Sequence, residues 1–147
     1  MNGKGHTVVG AVAGPVTGLG LAKRADRQVS GLEACGWVLG GIGGSKLPDL
    51  FEPAYCPHHR KFAHSGTVLA ADLTFLSSET LESWVQKLKS KAVELRSQAA
   101  LNPEYAIWSS LLAGLCEILA GVVPALFGGY ASHLICDATT PFGIPLC

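Results

Sequence analysis

The longest apolar segment of the chain covers residues 105–138 and reads YAIWSSLLAGLCEILAGVVPALFGGYASHLICDA. Its only Asp, Glu, His, Lys or Arg residues are Glu117, His133 and Asp137. A helix that crosses a bilayer needs roughly 20 apolar residues. This segment is long enough, although Pro124 and Glu117 interrupt it. Its apolar and polar residues do not alternate with period two, so the segment is predicted to be a helix and not a strand. Its length and apolar content favour membrane insertion over a soluble all-α domain.

Three shorter apolar blocks precede this segment, at about residues 7–22, 32–44 and 63–76. Gly, Ala and Ser recur in them at about every fourth position, which is typical of closely packed helices in lipid. The first block is followed by KRADR rather than by a mature N-terminus, so we expect it to be a retained helix and not a cleaved signal peptide.

The overall composition limits the partners of the chain. It is 48% hydrophobic and only 15% charged, against about 25% charged in average proteins. Such a chain has little polar surface, so we expect membrane lipid, or a second copy of the chain, to cover part of it. The 11 basic residues balance the 11 acidic ones, so no overall field attracts nucleic acid. At 147 residues, a single domain over 1–147 is expected.

One further helix differs from the apolar blocks. It begins after Ser77 or Ser78, with Glu79 in its first turn, and ends near Asn102. Its apolar residues recur at helical spacing, with charged residues between them: Leu81, Trp84, Val85, Leu88, Ala92, Leu95 and Ala99. We expect this amphipathic helix to pack against the others rather than to lie on a membrane surface. The predicted fold is therefore all-α, a compact bundle of four to five helices.

Histidine and aspartate residues stand at the ends of the predicted helices. The segment CPHHRKFAHSG, residues 56–66, holds three of the five histidines, and His133 and Asp137 are four apart, on one face of a helix. If neighbouring helices are antiparallel, these residues converge at one end of the bundle. The candidate ligands are His6, Asp49, His59, His64, His133 and Asp137. Such a set, without cysteine, suits zinc, or manganese or iron with a different geometry.

Four segments resemble, in order and spacing, those of the YdjM-like membrane-bound metal-dependent hydrolases. They are GHTVVGAVAG, LPDLFEP, HRKFAHS and HLICDATTPFGIPL. More distantly, the chain is similar to zinc-dependent phospholipase C and the related single-strand nucleases, which are all-α phosphoesterases. The resemblance implies one zinc ion held by Asp49, His64, His133 and Asp137. His6 and His59 would complete that site or anchor a second ion.

The expected reaction is metal-assisted hydrolysis of a phosphoester, with a phospholipid or another lipid-derived substrate at the inner membrane. Arg60 would stabilise charge on the phosphoryl oxygens. Glu52 could neutralise Arg60, bind the ion, act as a general base, or support a ligand from behind. The alternatives are a metal-stabilised membrane module without turnover and a nucleotide or nucleic-acid phosphodiesterase. A cytoplasmic location is the alternative to the inner membrane.

Overall fold

The computed structural model of the chain describes residues 3–52 and 62–140, and within these residues it is helical with no β-strand. The elements are α1 (Gly3–Arg24), α2 (Gly31–Gly44), α3 (Leu47–Phe51), α4 (Gly66–Leu76), α5 (Glu79–Leu101), a 3-10 turn (Pro103–Tyr105) and α6 (Ala106–Ala138). The all-α prediction is confirmed.

The described residues form six α-helices instead of four or five, and the short additional one is α3, over the segment LPDLF. Pro48 lies in its first turn, where a missing N–H leaves no hydrogen bond unmade. Asp49, one of the candidate ligands predicted at a helix end, consequently lies inside α3.

Helices α1, α2 and α6 pack against one another through glycines. Gly36, Gly40 and Gly44 recur every four residues along the side of α2 that contacts α6. A Cβ atom built on Gly44 would overlap the carbonyl oxygen of Leu126. Any side chain at position 44 would therefore push α2 and α6 apart. Small residues are usual where two helices approach as closely as this.

The three helices come closest around Gly41 of α2. A Cβ atom on Gly10 of α1, or on Gly129 of α6, would overlap the carbonyl oxygen of Gly41. His6 lies four residues before Gly10, and His133 lies four residues after Gly129. Because four residues make about one helical turn, the crossing sets the distance between these two histidines.

Helix α5 packs along α6 through most of the face that the sequence predicted, although Trp84 of that face is exposed. Leu81, Val85, Ala92 and Leu95 are buried, and the Ser78 hydroxyl caps the helix by accepting a hydrogen bond from the Leu81 amide. The packing role expected for this amphipathic helix agrees with these contacts.

Ion pairs join α5 to the loop between α1 and α2. Glu33 is fully buried and pairs with Arg27 and with Lys89, whose Nζ lies 2.6 Å from Glu33 Oε2. Glu117, the acidic residue that interrupts the apolar segment, accepts a hydrogen bond from Ser30 at 2.7 Å. Glu117 therefore has a hydrogen-bond partner inside the bundle, although it lies in an apolar segment.

Two helical segments are long and apolar enough to cross a membrane, by length and composition: Lys4–Arg24 and Pro103–Ala138. The first carries an exposed stripe of Val8, Val12 and Val16 at four-residue spacing. The first half of the second is exposed through Ile107, Trp108, Leu111, Leu112 and Leu115. These outward apolar faces are the ones that lipid would cover.

Candidate metal centre

Five of the six predicted ligands lie within the described residues, and their side chains meet. They come from the start of α1 (His6), from α3 (Asp49), from the turn before α4 (His64) and from the last two turns of α6 (His133 and Asp137). The sixth, His59, and the catalytic candidate Arg60 lie outside the described residues.

Four atoms from four residues form the centre of the cluster. His64 Nε2 lies 3.5 Å from Asp49 Oδ1 and 3.8 Å from Asp137 Oδ2. His133 Nε2 lies 3.6 Å and 3.4 Å from the same two oxygens. Ligands at about 2.1 Å from a tetrahedral ion are about 3.4 Å from one another. These four distances are therefore close to the spacing of ligands around one ion, and Asp49, His64 and His133 form one group that could hold a metal ion.

Both imidazoles are oriented by a hydrogen bond at Nδ1. His133 Nδ1 lies 2.6 Å from the carbonyl oxygen of Ser45, and His64 Nδ1 lies 3.1 Å from Glu52 Oε2. A carbonyl or a carboxylate oxygen only accepts, so Nδ1 donates in each pair and Nε2 is the ring nitrogen that faces the cluster. This is the arrangement in which histidine binds metals. Glu52, predicted as a catalytic residue, makes its contact with the far side of His64.

His6 lies beside this centre. Its ring stacks on that of His133, with centroids 3.8 Å apart, and its Nε2 lies 3.4 Å from Asp137 Oδ1. The other oxygen of Asp137 faces His64 and His133. The Asp137 carboxylate therefore contacts His6 through one oxygen and the other two histidines through the other oxygen, and His6, His133 and Asp137 form a second group that could hold a metal ion.

The cluster is closed on most sides. His6, His64, His133 and Asp137 are buried, whereas the Asp49 side chain is 44% exposed. A cavity of about 860 Å³ opens at that point, and His6 and Asp49 line it. A molecule in this cavity would reach the cluster from the Asp49 side.

Two basic residues that we did not predict, Lys4 and Lys46, line the same cavity. The signal was available, because Lys4 lies two residues before His6 and Lys46 three residues before Asp49. The sequence pattern drew attention to Arg60 instead, since it follows a histidine directly.

Two other contacts of the site were not predicted. Ser45 orients His133 through its main chain, which no side-chain pattern can reveal. The Tyr130 hydroxyl donates a hydrogen bond of 2.6 Å to the carbonyl oxygen of Ala63. Because Ala63 precedes His64, this bond ties the loop that carries His64 to α6.

Comparison with known proteins places the chain in a family. The family described as YdjM inner membrane protein matches residues 1–147, the full length of the chain. No curated protein and no solved structure matches, and the more distant likeness to phospholipase C-like phosphoesterases is not shown. The predicted location at the inner membrane is confirmed by this match and by the two helices of sufficient length. The chain belongs to the YdjM family of inner membrane proteins.

Proposed function

We propose that this protein is a metal-dependent hydrolase that cleaves a phosphoester at the inner membrane. The observation that carries the proposal is the four-atom cluster, in which His64 and His133 direct Nε2 towards the carboxylates of Asp49 and Asp137. Two imidazoles and two carboxylates suit zinc, with manganese or iron as alternatives. Bound there, such an ion supplies Lewis acidity, which polarises a phosphoryl oxygen and makes water more acidic.

The residues around the cluster have separate roles in this proposal. Glu52 and the Ser45 carbonyl keep a proton on Nδ1 of His64 and of His133, and so hold both rings in the binding tautomer. Lys4 and Lys46 line the cavity at the exposed side of Asp49, where they would bind the phosphoryl oxygens. That Arg60 stabilises charge on the phosphoryl oxygens stays a prediction.

A lipid-derived substrate is supported by the surface around the cluster. Leu50 and Phe51, which follow Asp49 in α3, are 69% and 66% exposed, and Phe62, two residues before His64, is 75% exposed. Exposed apolar side chains beside a polar site favour contact with a lipid surface. A phosphoester at the membrane boundary would reach Asp49 without leaving that surface.

The proposal is tested on protein purified in detergent. We expect about one or two metal ions per chain by mass spectrometry, and hydrolysis of bis(p-nitrophenyl) phosphate or of phospholipid vesicles. Asp49→Asn should remove most of the activity, because it deletes the ligand on the open side. Glu104→Gln removes an exposed carboxylate away from the cluster and should change neither metal content nor activity. Protein without bound metal, or activity that persists in Asp49→Asn, contradicts the proposal.

A metal-stabilised membrane module without turnover is the second candidate. It is favoured by the origin of the ligands, since α1, α3, the turn before α4, and α6 all contribute and an ion would cross-link them. Stoichiometric metal, a melting temperature that falls on chelation, and no hydrolysis of phospholipid or of a nucleotide phosphodiester would establish this candidate instead.

A further inference from the structure

A second cavity, of about 450 Å³, lies between α3, α4 and α6. Helix α3 separates it from the cavity at the metal centre, because Leu47 and Phe51 line this one, whereas Asp49 and Leu50 line the other. Its lining is apolar except for Asp72 of α4 and Tyr130 of α6. Neither the metal ligands nor Lys4 and Lys46 line it, so its chemistry is separate from that of the proposed hydrolytic site.

Asp72 is the unusual member of this lining. Its side chain is buried, with the residue only 8% exposed, and Oδ2 has no hydrogen-bond partner within the described part of the chain. Burial in these apolar surroundings raises the pKa of the Asp72 carboxyl to about 7. The neighbouring polar group, the Tyr130 hydroxyl, is already bonded to Ala63. A buried carboxyl without a partner is costly, and a ligand that meets it would remove this cost.

Aromatic rings from all three helices line the same cavity as this carboxyl. They are Phe51 of α3, Phe75 of α4, and Phe127 and Tyr130 of α6. The Phe75 and Phe127 rings are 4.7 Å apart at an interplanar angle of 46°, so their faces are tilted towards each other and not stacked flat. The face of an aromatic ring is negative and attracts cations.

These features select one kind of ligand. An anion would be repelled by Asp72 and by the ring faces. A small metal ion would find a single carboxylate and no further ligand among the residues that line the cavity. A hydrocarbon chain would fill the space but would leave Oδ2 of Asp72 buried and unpaired. An organic ammonium group satisfies both the rings and the carboxylate, because its charge is surrounded by apolar carbon.

We propose that the cavity lined by Phe51, Asp72, Phe75, Phe127 and Tyr130 binds an organic ammonium group. The group is either the amine headgroup of a membrane lipid or a free alkylammonium compound. Asp72 pairs with its charge, and the aromatic rings contact its methyl or methylene groups.

The test compares choline with its uncharged isostere, 3,3-dimethyl-1-butanol, by isothermal titration calorimetry on the metal-loaded protein in detergent. We expect choline to bind about 10-fold more tightly or better, since the cation–π contacts and the charge of Asp72 both favour the cation over the uncharged isostere. Asp72→Asn, which keeps the shape of the side chain but removes its charge, should reduce the preference several-fold and leave only the part that the rings contribute. Equal binding of the two compounds, absence of binding, or an unchanged preference in Asp72→Asn would overturn the proposal.

A second variant separates lost binding from lost folding. Phe127→Leu keeps an apolar side chain but removes a ring face, so choline should bind several-fold more weakly while the isostere is unaffected. Metal content and melting temperature are measured for both variants, and retained values show that the fold is intact. A Phe127→Leu protein that is intact and binds choline as the unmodified protein does also contradicts the proposal.

Membrane vesicles identify the source of the amine. If the ligand is a lipid headgroup, phosphatidylethanolamine vesicles should weaken choline binding in competition, and phosphatidylglycerol vesicles should not. If neither kind of vesicle competes with choline, the site binds an ammonium group whose source is a free amine and not a lipid headgroup. Competition by both vesicles alike would show that acyl chains occupy the cavity, and would overturn the proposal.

Discussion

The ring of His133 and the main chain of Ser45 are joined by a contact of 2.6 Å between Nδ1 and the carbonyl oxygen. Ser45 is the residue at which α2 ends, and His133 lies in the last two turns of α6. The position of the end of α2 therefore determines how the His133 ring on α6 is oriented. Any change that separates α2 from α6 should turn His133 away from the cluster.

Gly41→Ala tests whether the contact between α1 and α2 also controls the position of Ser45. A Cβ atom at Gly41 would overlap the carbonyl oxygen of Gly10, so α1 and α2 must separate, and Ser45, one turn further along α2, must move with them. We expect a fall of roughly 10-fold or more in metal affinity, the effect typical of disturbing the groups that orient metal ligands. Metal content after dialysis against a competing chelator is the measurement.

Gly20→Ala is the matched control, because nothing lies within 4 Å of a Cβ atom built at Gly20. This substitution in α1 should leave metal content unchanged and should stabilise the helix slightly. If Gly41→Ala bound metal as tightly as Gly20→Ala, the helix crossing would not control the site.

Glu52→Gln distinguishes an orienting role for Glu52 from a role as general base. The amide oxygen of glutamine can still accept the hydrogen bond from His64 Nδ1, but without negative charge. For an orienting residue we expect metal affinity to fall by about 10-fold, with activity restored when metal is added in excess. Full metal content with a permanent loss of turnover would instead make Glu52 the base. Metal titrations of activity in the two proteins decide between these results.

The sequence was sufficient to predict most of the helices and to select five candidate ligands that the fold brings together. Apolar periodicity defines α5, and the long apolar segment defines α6, because local spacing alone determines which face a helix buries. The pair His133 and Asp137 was evident for the same reason, since four residues separate neighbours on one helix face. The convergence of His6 and His64 on this pair followed from the expected antiparallel arrangement of helices.

Other features depend on contacts that no local pattern records. The helix at LPDLF was missed because a five-residue helix with a proline has no periodicity to detect. The role of the Ser45 carbonyl depends on the backbone and not on the identity of a side chain. The buried position of Asp72 was also missed, because one acidic residue in an apolar block gives no indication of which neighbours it meets.

Removal of Glu33 should affect stability and not the metal centre. This carboxylate is fully buried and pairs with both Arg27 and Lys89, so Glu33→Ala leaves Arg27 with Glu82 and Lys89 with the carbonyl oxygen of Gln28 as their remaining partners. Breaking such a buried pair typically costs about 3 to 5 kcal/mol. We expect a lower melting temperature by circular dichroism, with metal stoichiometry unchanged at temperatures below the transition. Glu94→Gln provides a comparison, because the pair of Glu94 with Lys91 is exposed and should contribute little.

The Asp72 carboxyl should make the stability of the protein depend on pH. Burial raises its pKa from 3.8 to about 7 in the folded chain, so the folded state holds a proton that the unfolded state releases between these values. The contribution of this bound proton to the free energy of unfolding is therefore complete below about pH 4. It is lost as pH rises towards 7, at up to about 1.4 kcal/mol per pH unit.

Asp72→Asn should remove this dependence. The difference in free energy of unfolding between the two proteins, measured by denaturation at pH 5 and pH 8, isolates Asp72, because the histidines of the metal centre and the neighbouring Tyr130 and Glu52 are present in both. We expect the unmodified protein to lose more stability than Asp72→Asn on going to pH 8. Added choline should reduce that loss, since a bound cation favours the ionised carboxylate. Equal losses in the two proteins would show that Asp72 meets water or a permanent partner, and is not buried in an apolar cavity.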